Sequence, residues 1–170
     1  QYALCGNRQA LDVLKGMAAW FKKRTDGFSH ADMDRMMDRN EEGGMAEVLW
    51  DLYSVTGDPD HRTLAERFDE RPFLDRLARG EDCLAGRHGN THIPLAVGAA
   101  RKYELTGEAR CRYMAEYFWD RVVNTRSFAT GGSTNAELWG PPYTLASTLS
   151  NSNHETCKTY NMLRLTRHLF

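Results

Sequence analysis

The sequence predicts an all-α fold made of helical hairpins that repeat about every fifty residues. Three observations lead to this prediction. Apolar residues recur at helical spacing, helix-ending and helix-starting residues stand next to each other between those segments, and one turn sequence occurs twice. We find no convincing alternation of apolar and polar residues of the kind that marks a half-buried strand.

The apolar spacing indicates amphipathic helices in several segments. Near the start of the chain, the apolar positions that share one helix face are Ala10, Val13, Leu14, Met17, Ala18 and Phe21. Two later segments repeat the spacing, namely Met45, Val48, Leu49, Leu52 and Tyr53, and then Cys111, Met114, Ala115, Phe118 and Val122. Each of these helices is expected to pack through its apolar face.

A four-residue segment, Thr56-Gly57-Asp58-Pro59, predicts a tight turn between two helices. Gly57 can end one helix in the left-handed conformation, and Asp58 can cap the next. Pro59 suits the first position of that second helix because its missing N–H has no partner there in any case. The segment is therefore typical of a helical hairpin.

The same turn occurs again 50 positions later. The first copy contains Tyr53, Thr56, Gly57, Asp58, Ala65, Glu66 and Phe68, and the second contains Tyr103, Thr106, Gly107, Glu108, Ala115, Glu116 and Phe118. Stacked hairpins of this kind form an open solenoid or a closed α/α toroid. A six-hairpin toroid needs roughly 300 residues. We therefore expect residues 1–170 to be about half of such a domain, with chain missing on its C-terminal side and its N-terminal side.

Composition excludes several classes of function. The chain has 22 Lys and Arg against 23 Asp and Glu, so its net charge of −1 offers no basic surface for nucleic acid. No apolar run approaches the ~20 residues that span a bilayer, and no signal sequence follows Gln1. The sequence therefore does not indicate the cellular compartment. Because half a toroid would leave apolar helix faces uncovered, such faces could support self-association.

Several polar segments occupy the same phase of the repeat, each just before a helix. They are Asn40–Met45, His88–Pro94, Gly131–Glu137 and His154–Cys157. Because these segments would meet at one end of the stack, they predict a polar pocket formed by helix N-termini. The connection between Thr125 and Asn153 is longer than a turn needs, and long ordered loops often carry function.

Each candidate site residue also has an ordinary structural explanation. Glu155 and Cys157 could share a metal only at the frayed start of a helix, and otherwise Glu155 stabilises the helix dipole. His88 and His92 have a metal-like spacing, but the glycine between them favours a loop, so polar substrate contacts are the better hypothesis. Glu42 could cap a helix. Glu137 is either a general acid near an aromatic ring or a solvated loop residue.

Together these segments resemble the β-L-arabinofuranosidase family, glycoside hydrolase family 127, formerly domain of unknown function 1680. The resemblance covers residues 30–170 and rests on six motifs: Glu41-Glu42-Gly43-Gly44-Met45, Leu52-Tyr53-Ser54-Val55-Thr56-Gly57-Asp58, His88-Gly89-Asn90-Thr91-His92-Ile93-Pro94, Tyr103-Glu104-Leu105-Thr106-Gly107, Ala129-Thr130-Gly131-Gly132-Ser133, and Glu155 to Leu163. Several ordered motifs at consistent separations are far more specific than any one of them.

The resemblance implies a catalytic domain built as an (α/α)6 toroid that cleaves β-L-arabinofuranosides with retention. It also implies a zinc-bound cysteine thiolate as nucleophile. On this pattern Glu155 and Cys157 are two zinc ligands and Glu137 is the general acid/base. The sugar pocket would be lined by His88, Asn90, His92 and Glu42.

The family's remaining two zinc ligands, a cysteine pair that includes the nucleophile, lie C-terminal to this segment. Cys5, Cys83 and Cys111 do not match their positions. We therefore expect the 170 residues alone to be an inactive piece of the enzyme with half a zinc site.

Two other functions are compatible with a helical repeat. The first is a sugar epimerase or isomerase of the acylglucosamine epimerase kind, with His88 and His92 as its acid/base pair and no need for a metal. The second is a helical-repeat interaction module without catalytic activity. A cysteine pair in the following chain would favour the hydrolase. The sequence does not identify the exact glycan, the linkage or the oligomeric state.

Overall fold

A computed structural model describes residues 1–37 and 43–170. Within these ranges the chain forms helices, turns and irregular segments but no strand, which confirms the all-α prediction. In chain order the helices are α1 (Tyr2–Cys5), α2 (Arg8–Thr25), α3 (His30–Met37), α4 (Met45–Thr56), α5 (Pro59–Arg67), α6 (Arg71–Ala78), α7 (Gly89–Thr106), α8 (Ala109–Arg126), α9 (Leu145–Thr148) and α10 (Thr156–Leu169).

The two predicted turns form two helical hairpins, α4–α5 and α7–α8. Gly57 ends α4 with φ 66°, and its N–H donates to the carbonyl of Tyr53 at 2.8 Å. Gly107 ends α7 in the same way with φ 72°. The side chain of Asp58 accepts a hydrogen bond from the backbone N–H two residues later, at 2.9 Å. These contacts confirm the helix ends that the sequence predicts at both copies of the repeat.

α7 lies at the centre of the described structure, between α4, α8 and α10. Its positions 91–100 are all buried. α4 can approach closely because Gly98 has no side chain: a Cβ there would lie 3.0 Å from that of Ala46. Further along both helices, Arg101 donates to Asp51 at 2.7 Å. Because the contacts advance in the same direction, α4 and α7 are parallel.

The apolar core has two parts. One lies among α6, α7 and α8 and includes Phe73, Leu77, Ile93, Phe118 and Trp139. The other lies among α2, α3, α4 and α5 and includes Met33, Leu49, Trp50, Leu64 and Phe68. Contacts between the parallel helices α4 and α7 join the two hairpins.

The apolar face of α2 is buried only in part. Ala18 is buried, whereas Val13, Met17 and Trp20 have exposed fractions of 57%, 51% and 59%. On α10 the large side chain of Leu163 is also exposed. The expectation of exposed apolar helix faces is thus met on these two helices.

None of the helices in the described ranges combines the length and the apolar character required to cross a bilayer.

Candidate active site

The N-terminal ends of α7 and α10 lie side by side. A Cβ on Gly89 would lie 3.0 Å from Cδ of Lys158, and the side chain of Asn161 donates to Asn90 at 2.9 Å. We call the first turns of these two helices, together with the turn at 135–138 that covers them, the mouth. Three of the segments that the sequence placed in one phase of the repeat, His88–Pro94, Gly131–Glu137 and His154–Cys157, therefore meet at one end, whereas residues 40–42 of the fourth lie outside the described residues.

Backbone hydrogen bonds hold the covering turn against the start of α7. Gly86 donates to the carbonyl of Trp139 at 2.8 Å, and Trp139 donates to that of Arg87 at 3.1 Å. Gly89, the first residue of α7, donates to the carbonyl of Glu137 at 2.8 Å. These bonds fix the position of the Glu137 backbone relative to the helix.

The turn that carries Glu137 is strained. Asn135 and Leu138 exchange backbone hydrogen bonds of 2.9 and 3.1 Å, and the two residues between them, Ala136 and Glu137, have φ values of 44° and 69°. Positive φ at both central positions is what a type I′ turn requires, and glycine or asparagine usually supplies it. Strain of this kind persists where the surroundings impose it, and it is common at functional sites.

The side chain of Glu137 reaches out of this turn. It is 56% exposed, and its Oε2 lies 3.5 Å from Nε2 of His88. His88 is the N-cap of α7, where its Nδ1 accepts a hydrogen bond from the backbone N–H of Thr91 at 3.3 Å. The structure thus brings together two of the residues that the sequence singled out, a carboxylate and an imidazole.

Asn90 and Asn161 begin a chain of polar contacts that leads away from the mouth. Asn161 is almost completely buried and also lies 3.5 Å from a guanidinium nitrogen of Arg164. Arg164 in turn donates to the buried carboxylate of Glu47 on α4. Asn90 therefore lies at the mouth, as expected, with its side-chain oxygen already accepting one hydrogen bond.

His92 lies deeper than the other candidates, with only 7% of its surface exposed. Its Nδ1 is 2.7 Å from the carbonyl oxygen of His88, and its Nε2 is 3.0 Å from a guanidinium nitrogen of Arg87. Its ring also packs edge-on against Phe73, with centroids 4.7 Å apart. This setting favours a structural role for His92, and a contact with substrate stays a prediction.

Glu42 lies outside the described residues, so its predicted place in the sugar pocket stays a prediction. Gly43 is described, and a Cβ on it would lie only 2.0 Å from the carbonyl oxygen of Thr91. The close approach of a neighbouring backbone therefore explains this glycine. Gly44 has no such neighbour within 4 Å.

A sequence model of the family described as beta-L-arabinofuranosidase, GH127 catalytic domain, matches residues 1–170. The chain belongs to this family. It is accordingly a glycoside hydrolase sequence with a carbohydrate substrate, and the resemblance drawn from the motifs is confirmed. Membership also favours the hydrolase over the epimerase and the interaction module. No curated protein matches the chain.

The GH127 domain is expected to hold zinc through Glu155 and Cys157, which lie together at the start of α10. Glu155 is the half-buried N-cap and Cys157 is exposed. A thiolate and a carboxylate suit zinc, but a tetrahedral site takes four ligands. No group of three or more His, Cys, Asp or Glu side chains placed for a metal occurs in 1–37 or 43–170. Glu155 and Cys157 are thus candidate zinc ligands by residue type, and zinc binding stays a prediction.

Two of the other cysteines of the GH127 domain are poorly suited to be thiolates. Cys83 and Cys111 are buried. Burial raises the pKa of Cys83, and it raises that of Cys111 to about 12. A thiol with such a pKa stays protonated at neutral pH, so neither supplies a nucleophile.

The sequence reasoning missed Lys158, which lies within the motif but received no role. Lys158 is 1% exposed, and its ammonium group donates to the carboxylate of Glu155. The pKa of Lys158 is lowered, because burial outweighs the opposing effect of the nearby charge of Glu137. The mouth thus contains a buried lysine that is paired with one acidic residue and lies near a second. The position of Lys158 three residues after Glu155 was the available signal.

The residues that hold the long connection were missed as well. Asn153 is buried, and its amide donates to the carbonyls of Thr134 and Thr148 at 3.1 and 3.0 Å. Arg126 is also buried and forms two hydrogen bonds of 2.9 Å with the carboxylate of Asp82. These side chains fix the connection so that the turn at 135–138 can cover the mouth.

Proposed function

We propose that this chain carries the general acid/base and half of the zinc site of a retaining β-L-arabinofuranosidase. The observation that supports the proposal most strongly is the position of Glu137. Its backbone is bonded to the first residue of α7, its conformation is strained, and its carboxylate nevertheless reaches the open side of the mouth. Backbone strain of this kind is common at functional sites, so the φ of 69° is consistent with a functional role for Glu137.

Glu137 would act twice in a retaining mechanism. In the first step its carboxylic acid gives a proton to the oxygen of the departing group as the glycosidic bond breaks. In the second step the resulting carboxylate takes a proton from water, which attacks the anomeric carbon, breaks its bond to the nucleophile and releases the free sugar. Both steps require an accessible carboxyl group, and the side chain of Glu137 is exposed.

The polar groups at the start of α7 would line the sugar pocket. His88 and Asn90 lie at the mouth, and we place Glu42 with them on the basis of the family motif. Trp139, by contrast, is buried and packs against Phe118 with ring centroids 5.6 Å apart. Trp139 therefore anchors the turn in the core and does not offer the sugar a stacking surface.

Glu155 and Cys157 would hold one side of the zinc ion. When bound, zinc keeps a ligating thiol deprotonated at neutral pH. The other ligands and the nucleophilic thiolate would come from a further part of the protein, because the remaining cysteines do not match the family's positions. The 170 residues alone are accordingly expected to be inactive.

The helical arrangement supports a partial toroid. α4, α7 and α10 each open with a polar segment at the same end, and α7 lies between the other two. In a closed (α/α)6 toroid these would be three neighbouring inner helices, and further hairpins would cover the exposed apolar residues of α2 and α10.

The proposal is tested by hydrolysis of aryl and alkyl β-L-arabinofuranosides with the whole protein. We expect turnover with retention for the unaltered enzyme. Glu137→Gln should reduce the rate about 10²- to 10⁴-fold for alkyl leaving groups and much less for nitrophenolate, which departs without a proton. Azide should restore part of the lost rate on the nitrophenyl substrate, because an anionic nucleophile needs no general base.

The matched control is Glu116→Gln, which alters an exposed glutamate of α8 that is paired with Arg112. It should leave turnover unchanged. An unaltered protein that does not hydrolyse any β-L-arabinofuranoside would refute the substrate assignment. A Glu137→Gln enzyme with an equal loss on every leaving group would refute the acid/base role.

The zinc proposal has its own matched pair, because Cys157 and Cys5 are both exposed. Metal analysis of the whole protein should find less zinc in Cys157→Ser and unchanged zinc in Cys5→Ser. Equal zinc content in the two variants would refute the assignment of Cys157 as a ligand.

A further inference from the structure

The two ring nitrogens of His88 have different partners. Nδ1 accepts a hydrogen bond from the backbone N–H of Thr91 at 3.3 Å and lies 3.0 Å from the hydroxyl of the same residue. Nε2 lies 3.5 Å from Oε2 of Glu137. The imidazole therefore spans the distance between the end of a helix and the carboxylate that we propose as the general acid/base.

The helix end determines where the proton of a neutral His88 ring resides. A backbone N–H can only donate, so the nitrogen that faces it must carry a lone pair. Nδ1 is that nitrogen, and the proton of the neutral ring is consequently on Nε2. The N–H of Nε2 is then a donor on the side of the ring where Oε2 of Glu137 lies, 3.5 Å from the nitrogen.

Glu137 has a particular need for such a donor. Its backbone is fixed by the turn, but its side chain is 56% exposed, and a free glutamate side chain samples many rotamers. Holding one rotamer costs up to about 2 kcal/mol in side-chain entropy. A contact with a rigid ring that is itself anchored on α7 reduces this freedom before the substrate arrives.

We propose that His88 is a positioning residue for Glu137, with its tautomer set by its role as the N-cap of α7. The proposal rests on the function proposed above. Nε2 lies 3.5 Å from Oε2, so the ring restricts the positions that the exposed carboxylate of Glu137 can take. His88 thus acts on the reaction through the position of Glu137.

Two conservative variants separate the cap from the contact with Glu137. Asparagine is a good N-cap but is too short to reach Glu137, whereas glutamine is a poor N-cap whose amide nitrogen can reach the position of Nε2. In the whole protein, His88→Asn should keep the melting temperature and lower kcat about tenfold to a hundredfold, which is a larger factor than any rise in KM. His88→Gln should lower the melting temperature and keep more of kcat than His88→Asn.

A raised KM at unchanged kcat in His88→Asn would overturn the proposal, because His88 would then contact the sugar without any effect on Glu137. Unaltered kinetics in His88→Asn would overturn it as well. Equal losses of kcat in the two variants would show that the contact with Glu137 does not matter.

The tautomer can be measured without any activity. Long-range ¹H–¹⁵N NMR correlations distinguish a protonated ring nitrogen from an unprotonated one, and the His88 signals are identified by their loss in His88→Asn. We expect the proton on Nε2 at a pH where the ring is neutral, and a change in the Nε2 shift in Glu137→Gln. A proton on Nδ1 would overturn the proposal even if hydrolysis is confirmed. An Nε2 proton in a protein that hydrolyses no arabinofuranoside would support the geometry and refute only the enzymatic role.

Discussion

The hairpins α4–α5 and α7–α8 are alike at one end and different at the other. At the turn, Gly57 and Gly107 have φ values of 66° and 72°, and each donates to a carbonyl four residues earlier at 2.8 Å. At the opposite end, α4 begins at Met45 after two glycines, whereas α7 begins at Gly89 with His88 as its cap.

This difference separates the requirements of folding from those of chemistry. The same turn occurs in both hairpins because each hairpin packs its two helices in the same way. The mouth is free to vary, because we propose that its side chains face the substrate. In the second hairpin the variation consists of the imidazole cap and the covering turn with Glu137, which are the elements that we propose act on the sugar.

The largest effect is expected at the mouth, from a pair of glycine substitutions in the covering turn. Ala136→Gly and Glu137→Gly each remove a Cβ from a residue with positive φ, so each should stabilise the protein by about 0.5–1 kcal/mol. Only Glu137→Gly also removes the carboxylate. In the whole protein it should lower hydrolysis about 10²- to 10⁴-fold, while Ala136→Gly keeps the activity.

Urea unfolding and hydrolysis rates of both variants test this prediction. Equal losses of activity would mean that the strained backbone, and not the carboxylate, is what the reaction requires. Lower stability in both variants would mean that the turn does not store strain.

At the repeated end, Gly57→Ala and Gly107→Ala should each destabilise the protein by about 1 kcal/mol, and by the same amount. A Cβ at either position has no neighbour within 4 Å, so the positive φ is the only source of the cost. Gly16→Ala is the matched control, because Gly16 lies inside α2 with no neighbour within 4 Å. It should stabilise by up to about 1 kcal/mol. Unequal costs at the two turns would show that the repeat is not equivalent there.

The sequence predicted the turns because their signals are local. Gly57, Asp58 and Pro59 are adjacent, and each residue type has a conformational preference that acts without tertiary contacts. The copy at Gly107 was found from the same residues at a fixed separation. The described helix ends agree with these predictions at both turns.

The mouth was predicted only in part, because its contacts join distant residues. Nothing local shows that Arg126 binds Asp82, 44 positions away, or that Lys158 packs against Gly89. The positive φ of Glu137 could not be anticipated either, since glutamate is an unusual residue in that conformation. Its strain is imposed by the bonds that tie the turn to the start of α7.

A smaller effect on stability should distinguish the two hairpins at the N-cap of their second helices, just after the glycine turns. Asp58 caps α5 through its side chain, whereas Glu108 at the equivalent position of α8 makes no side-chain cap bond. Asp58→Ala should therefore cost about 1 kcal/mol. Glu108→Ala should cost less than about 0.5 kcal/mol, because it loses only a half-exposed ion pair with Lys102. Urea unfolding would contradict the assignment of the caps if both losses were equal.

The smallest effect concerns the contact that joins both hairpins to α10. His168 on α10 lies between one carboxylate of each hairpin, with its Nδ1 2.6 Å from Glu104 on α7 and its Nε2 3.8 Å from Glu47 on α4. Arg101 also binds Glu104, and Arg164 also binds Glu47. The contacts with Glu47 and Glu104 raise the pKa of His168, while burial of the ring opposes them. Because these causes partly cancel, we expect less stabilisation here than from the Asp58 cap.

The sign of the pH dependence follows from the direction of that shift. A raised pKa in the folded state gives stability that is fully present below the unfolded value of about 6.5 and is lost as the pH rises through the folded value. His168→Gln should therefore be less stable than the unaltered protein at about pH 5.5, with a difference that shrinks towards about pH 8.5. Glu104→Gln should weaken the same dependence because it removes the nearer carboxylate. A difference between the unaltered protein and His168→Gln that grows with pH would mean that the ring is held neutral between the hairpins, and the charged contact would then not be what joins them.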